Sequence, residues 1–202
     1  RKHMSKISLT PPVVAIYCAS SKTVDPAIFK AGEELGKALA EAGLGMVYGG
    51  TTCGLMGVTS GAHKKAGGRL IGVVPSFMVE AGIKSPLLDE VVQVESMADR
   101  KNAMNQQAGA FVILPGGLGT FDELFDVLAL KQLGKHRKPI ILLNTLGFYE
   151  PLMALMKHCV KHHTVKEEHL ALFSLADTPS QVMELLARGF TANIAPKIRG
   201  AS

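Results

Sequence analysis

Apolar positions along the chain fall into two textures: short, nearly unbroken runs, and longer stretches in which they return every three or four residues. The first texture reads as buried strands and the second as amphipathic helices. Residues 13–18 form an apolar run ending in Ala19-Ser20-Ser21, and Asp25-Pro26 then opens a helical pattern that closes near Gly43. Met46-Val47-Tyr48 leads into Gly49-Gly50-Thr51-Thr52-Cys53-Gly54 and a helix to Ala66, with the next strand over 70–74. Further runs at 91–94, 110–114 and 140–143 are separated by helical segments 97–108 and 119–134. A helix over 149–162, a last strand near 171–175 and a closing helix over 180–188, behind Pro179, complete the expected set.

Strands alternating with helices imply right-handed crossovers and a parallel sheet. The expected fold is therefore α/β: a single Rossmann-like three-layer domain with a mostly parallel sheet flanked by helices. The 202 residues suit one such domain and are too few for two ordinary ones. Arg1-Lys2-His3 ahead of Met4 reads as a cloning remnant, which leaves residues 4–202 as the domain.

With 47% hydrophobic and 19% charged residues, the chain has a globular balance. No apolar run reaches the roughly 20 residues of a membrane-spanning helix, and no signal-peptide pattern opens the chain. Cys18, Cys53 and Cys159 lie far apart without Cys-x-x-Cys spacing, so neither a disulfide framework nor a zinc site is indicated. A cytoplasmic setting is expected, with no membrane partner. The formal charge of +5 comes from scattered Lys and Arg without interleaved aromatics, which points away from nucleic acid and toward a small anionic substrate. His158, His162 and His163 have helical spacing but no nearby carboxylate, so they read as a solvated helix end and not as metal ligands.

Sheets of this kind bind ligands beyond the carboxyl ends of their strands. After the strand ending at Leu114, Gly116-Gly117-Leu118-Gly119 keeps side chains out of the approach path, and Thr120 opens a helix whose free N–H groups favour a phosphate. Thr120-x-x-Glu123 has the spacing of a capping box, in which Glu123 merely finishes the helix. The other reading of Glu123 is a base beside a bound phosphate, where an idle carboxylate is electrostatically costly. Arg100 and Lys101 fall in the first turn of the helix opened by Ser96-Met97, where cations gain nothing from the helix dipole; they serve an external anion or form a solvated face. Ser20, Gly49, Gly50, Thr51 and Met97 sit at neighbouring strand ends and are candidate pocket walls.

Together these residues resemble the Lonely Guy (LOG) family of cytokinin riboside 5'-monophosphate phosphoribohydrolases, once widely mislabelled as lysine decarboxylases. Pro115-Gly116-Gly117-Leu118-Gly119-Thr120-Phe121-Asp122-Glu123 matches that family's Pro-Gly-Gly-x-Gly-Thr-x-x-Glu signature, and Arg100, Lys101 and Met104 match its Arg-Lys pair followed by Met. Tyr48-Gly49-Gly50 with Gly54-Leu55-Met56-Gly57, the stretch from Leu133 to Ile140, and Leu143-Asn144 with Gly147-Phe148-Tyr149 extend the likeness over nearly the whole chain. The resemblance implies hydrolysis of the N-glycosidic bond of an N6-substituted adenosine 5'-monophosphate, releasing the base and ribose 5-phosphate. Arg100 and Glu123 would be catalytic. Lys101, Gly116, Gly117, Leu118, Gly119 and Thr120 would hold the substrate and its phosphate. No cofactor is implied, and a homodimer is. A non-catalytic nucleotide or molybdenum-cofactor carrier of similar fold is the alternative. The sequence departs from the family at Thr51, where a third Gly is common, at Ala98, where plant members have His, and at Ala129 and Leu130, which replace a polar residue and Trp. The last two are expected to alter the pocket for the base.

Overall fold

A computed structural model describes residues 12–194, and the expectation for residues 1–3 lies outside them. Seven strands form one sheet in the order β4-β3-β2-β1-β5-β6-β7, and every neighbouring pair is parallel. They are β1 (Val13–Tyr17), β2 (Gly45–Tyr48), β3 (Leu70–Pro75), β4 (Glu90–Val94), β5 (Ala110–Ile113), β6 (Ile140–Leu143) and β7 (Ser174–Ala176). The intervening helices are α1 (Pro26–Glu41), α2 (Gly54–Lys65), α3 (Ser76–Glu80), α4 (Met97–Gln107), α5 (Leu118–Gln132), α6 (Glu150–Lys161) and α7 (Pro179–Ile194).

Side chains of a strand point alternately to the two faces of the sheet, so strands buried on both sides need unbroken apolar runs. On one face Val14, Ile16 and Val112 pack with Ile28, Leu35 and Leu39 of α1, Leu55 of α2 and Val182 and Leu186 of α7. On the other, Ala15, Tyr17 and Phe111 pack with Met104 of α4, Leu124 and Val127 of α5 and Met153 of α6. The result is the three-layer α/β domain read from the alternation. Asp25 caps α1 by accepting a bond from the Ala27 N–H at 2.8 Å, with Pro26 in the first turn. Glycine is required where α1 meets α2: a Cβ on Gly36 would lie 2.2 Å from the carbonyl oxygen of Thr59.

Two expectations need correction. The last strand is only Ser174–Ala176, because Ala171 and Leu172 are drawn into a 3-10 turn over Glu167–Leu172. α3 was not read from the sequence at all; its Phe77-Met78-Val79 core gives no helical period over so short a span. Among the described residues no helix is long and apolar enough to cross a membrane.

The strand order reverses at β1, whose neighbours β2 and β5 continue in opposite directions across the sheet. The loops leaving β1 and β5 therefore diverge and open a crevice at their carboxyl ends.

Candidate active site

Both loops at that crevice are pinned by the backbone. The Leu114 N–H donates to the Tyr17 carbonyl at 2.9 Å and the Ala19 N–H to the Pro115 carbonyl at 3.1 Å. The buried Tyr149 hydroxyl donates to the Leu114 carbonyl at 2.7 Å and buttresses the turn from behind. A cleft of about 270 Å³ results, with Cys18, Ala19 and Ser20 from the β1 loop facing Gly117, Leu118 and Gly119 at the start of α5. Met56, Met97, Arg100, Thr120 and Glu123 also reach it.

α5 starts earlier than its sequence suggests. Gly117 is the N-cap, no side chain caps the helix, and the Phe121 N–H donates to the Gly117 carbonyl at 3.0 Å. Helix geometry leaves the N–H groups of Leu118, Gly119 and Thr120 outside the intrahelical ladder, at the positive end of the helix dipole. A Cβ on Gly117 or Gly119 would meet no protein atom within 4 Å, so these positions border open space. Thr120 instead lies inside the first turn, buried, folded back over Gly116, where an added Cβ would stand 2.1 Å from its Oγ1. The capping-box reading of Glu123 falls with this: Thr120 is not the cap, and Glu123 turns elsewhere.

It turns toward Arg100. Ser96 caps α4 by accepting from the Asp99 N–H, which sets Arg100 in the first turn beside the end of β3. The Arg100 Nε donates to the Val73 carbonyl at 3.2 Å, and its Nη1 lies 3.6 Å from Glu123 Oε1. The two side chains are 12% and 14% exposed, so neither belongs to a solvated surface pair. Gly49 makes room for the guanidinium: a Cβ there would lie 2.1 Å from Nη2. Burial pushes the Glu123 carboxyl up to about 7, with Arg100 opposing and Asp122 adding to the rise. Burial and the nearby Glu123 charge hold the Cys18 thiol well above its ordinary range; burial, then Glu123 and Asp126, do the same to the Tyr17 phenol. Near neutral pH the carboxyl is thus the proton-exchanging group among these three.

The other expected site residues separate into two sets. Ser20 and Met97 line the cleft, as does Lys101, but the Lys101 ammonium is engaged by Asp122 at 3.1 Å and Asp126 at 3.6 Å. Two carboxylates one turn apart on α5 thus hold the charge expected to meet a phosphate. Gly50 and Thr51 do not line the cleft. Gly50 turns with φ +75° against Val74, its carbonyl accepts from the Ser85 N–H at 2.7 Å, and Thr51 pairs with Lys84. Ala129 and Leu130 lie beyond the cleft on the far half of α5. Cys18 and Met56 line it as well: Met56 belongs to the loop-to-helix junction that follows β2, whereas nothing in the sequence marks Cys18, which closes the first apolar run. Among the described residues no three metal-ligating side chains gather.

The family described as "Possible lysine decarboxylase" matches residues 56–186. The cytokinin riboside 5'-monophosphate phosphoribohydrolase LOG of Oryza sativa subsp. japonica is 37% identical over 170 residues, spanning 84% of this chain and 70% of that protein. The chain belongs to the Lonely Guy family. A second LOG relative, the cytokinin riboside 5'-monophosphate phosphoribohydrolase LOG2 of Arabidopsis thaliana, is 35% identical, spanning 86% of this chain and 81% of its own. The LOG fold also superposes on the molybdenum cofactor binding protein from the phototrophic bacterium Rippkaea orientalis, with TM-score 0.70 and 24% identity over 90% of this chain and 98% of that one. At that identity the likeness is one of fold.

Proposed function

We propose that this LOG chain hydrolyses the N-glycosidic bond of adenosine 5'-monophosphates, N6-substituted ones included, releasing the free base and ribose 5-phosphate. The observation that carries this reading is a largely buried carboxyl poised near 7, 3.6 Å from a largely buried guanidinium, beside an uncapped helix N-terminus over two open glycines. The names of the two LOG relatives supply the substrate class.

The N–H groups of Leu118, Gly119 and Thr120 hold the 5'-phosphate, with Gly117 and Gly119 leaving it room. The C1'–N9 bond breaks as positive charge builds on the ribose, which the Glu123 carboxylate stabilises. Water adds to C1' and gives its proton to Glu123, while N9 leaves with the bonding pair and takes a proton from solvent; Glu123 then returns its proton to solvent, so that one water is consumed. Arg100 orients the nucleotide; a guanidinium is a poor proton donor, so it is not assigned to the leaving base. The carrier alternative gives no role to a carboxyl held at the titration point of a hydrolytic base.

Purified protein incubated with N6-isopentenyladenosine 5'-monophosphate should release isopentenyladenine and ribose 5-phosphate, at least about a hundredfold faster than the free riboside is cleaved. Equal rates for the two would remove the phosphate cradle, and no release of base from any adenosine monophosphate would end the hydrolase reading. A homodimer and a cytoplasmic location go with the proposal. Exposed Phe125, Phe148 and Leu155 give the dimer an apolar surface, and light scattering on the purified chain tests it.

A further inference from the structure

A second cavity, of about 350 Å³, opens at the opposite end of the sheet from the cleft, where β6 and β7 begin, between the last turn of α5 and the middle of α7. Three cations border it, Lys131, Arg137 and Arg188, and no carboxylate does. Among the described residues Lys131 and Arg137 form no ion pair, and Arg188 only approaches the exposed Glu184, at 3.9 Å. Burial without a counter-charge lowers the Lys131 pKa. Part of the wall is apolar, from Leu172, Phe173 and Leu185. α7 comes close enough to close the cavity because residue 189 is glycine: a Cβ there would lie 2.3 Å from Pro139 Cγ.

Helix termination accounts for one of the three charges at most, Lys131 in the last turn of α5. The final carbonyls of α5 are already engaged: those of Ala129, Leu130 and Lys131 accept from the Leu133, Lys135 and Gly134 N–H groups, and that of Val127 bonds His136 at 2.9 Å. Arg137 lies past the end of α5 and Arg188 comes from another helix. Arg137 and Arg188 are exposed, so water screens much of their mutual repulsion, but three cations around one concavity with no bordering carboxylate set up a positive potential that suits a dianion better than a carboxylate. The apolar wall selects among dianions by rewarding an attached ring.

We propose that this cavity is a second ligand site, which binds a small phosphate monoester carrying an aromatic or other apolar group. The phosphate sits among Lys131, Arg137 and Arg188, and the apolar group lies against Phe173 and Leu185. The site is separate from the cleft, and its test does not depend on turnover.

Phenyl phosphate is the probe, titrated into the isotopically labelled full chain and followed through backbone amide resonances. The amides of Phe173, Ser174 and Gly189 should shift and saturate, whatever those of Gly117 and Gly119 do. Phenol, without the charge, and inorganic phosphate, without the ring, should each bind there at least about tenfold more weakly. The double variant Lys131→Gln/Arg137→Gln should weaken phenyl phosphate at least about tenfold at these amides. If that variant does not fold, Arg188→Gln and a rise in ionic strength, both applied to folded protein, must each weaken binding. Unmoved Phe173, Ser174 and Gly189 amides, equal affinity for phenol or for inorganic phosphate, or shifts that survive loss of the cations would each overturn the proposal.

Discussion

Replacing Glu123 with Gln keeps the shape of the side chain and removes a charge that the fold holds at a cost. An ordinary glutamate near 4.5 raised to about 7 by burial is disfavoured, when ionised, by about 3 kcal/mol, at about 1.4 kcal/mol per pKa unit. Below about pH 4.5 the carboxyl is protonated in both folded and unfolded chains and contributes no difference. Between about 4.5 and 7 the unfolded chain gives up this proton while the folded chain keeps it, so stability falls as pH rises and levels off above about 7. Gln does not titrate and escapes this loss. Urea unfolding of the two proteins should therefore nearly coincide around pH 4.5, whereas at pH 8.5 Glu123→Gln should be more stable by about 3 kcal/mol, a midpoint shift of about 1–3 M. Release of ribose 5-phosphate should move the other way, falling about a hundredfold or more, and the wild-type rate should climb with pH through about 7. A variant no more stable than wild type at pH 8.5 would refute the account of the buried charge. A variant with near-normal turnover would refute the role.

Gly49→Ala should displace the Arg100 guanidinium, a flexible group, and so lower kcat/KM by about tenfold or more while changing the unfolding midpoint little; unchanged kinetics would show that Arg100 does not need that position. Gly119→Ala meets no protein atom, so stability should hold within about 0.5 kcal/mol while KM for the monophosphate rises more than KM for the riboside, as measured by initial rates. Gly36→Ala presses on the Thr59 backbone between α1 and α2 and should cost about 1–3 kcal/mol in urea unfolding, with the kcat of the folded fraction unaltered.

The strands were legible because a parallel sheet covered on both faces requires continuous apolar runs, and 13–18, 70–74 and 140–143 provide them. β7 was misplaced by a few residues because apolar Ala171 and Leu172 fit a strand or a 3-10 turn equally well, and only packing against α5 and α6 decides between them. Gly117 to Thr120 and Glu123, from the segment the sequence points to, border the cleft, but the start of α5 was read from Thr120, a good capping residue, when Gly117 caps it without a side chain. The meeting of Arg100 with Glu123 is tertiary, made between the first turn of α4 and the second turn of α5, and no local spacing encodes it. The capture of Lys101 by Asp122 and Asp126 is of the same kind: the acids are visible in the sequence, but their facing α4 is not.

The Arg100 guanidinium is held by the main-chain carbonyl of Val73 through Nε, which leaves its terminal nitrogens for Glu123 and the cleft. A carbonyl is present whatever side chain residue 73 carries, so drift at that position cannot erase the anchor while β3 keeps its course. Of the two partners in that bond, only residue 100 is constrained in its side chain. A lysine there has one nitrogen for both duties, and could answer the carbonyl or the carboxylate but not brace itself on one while facing the other.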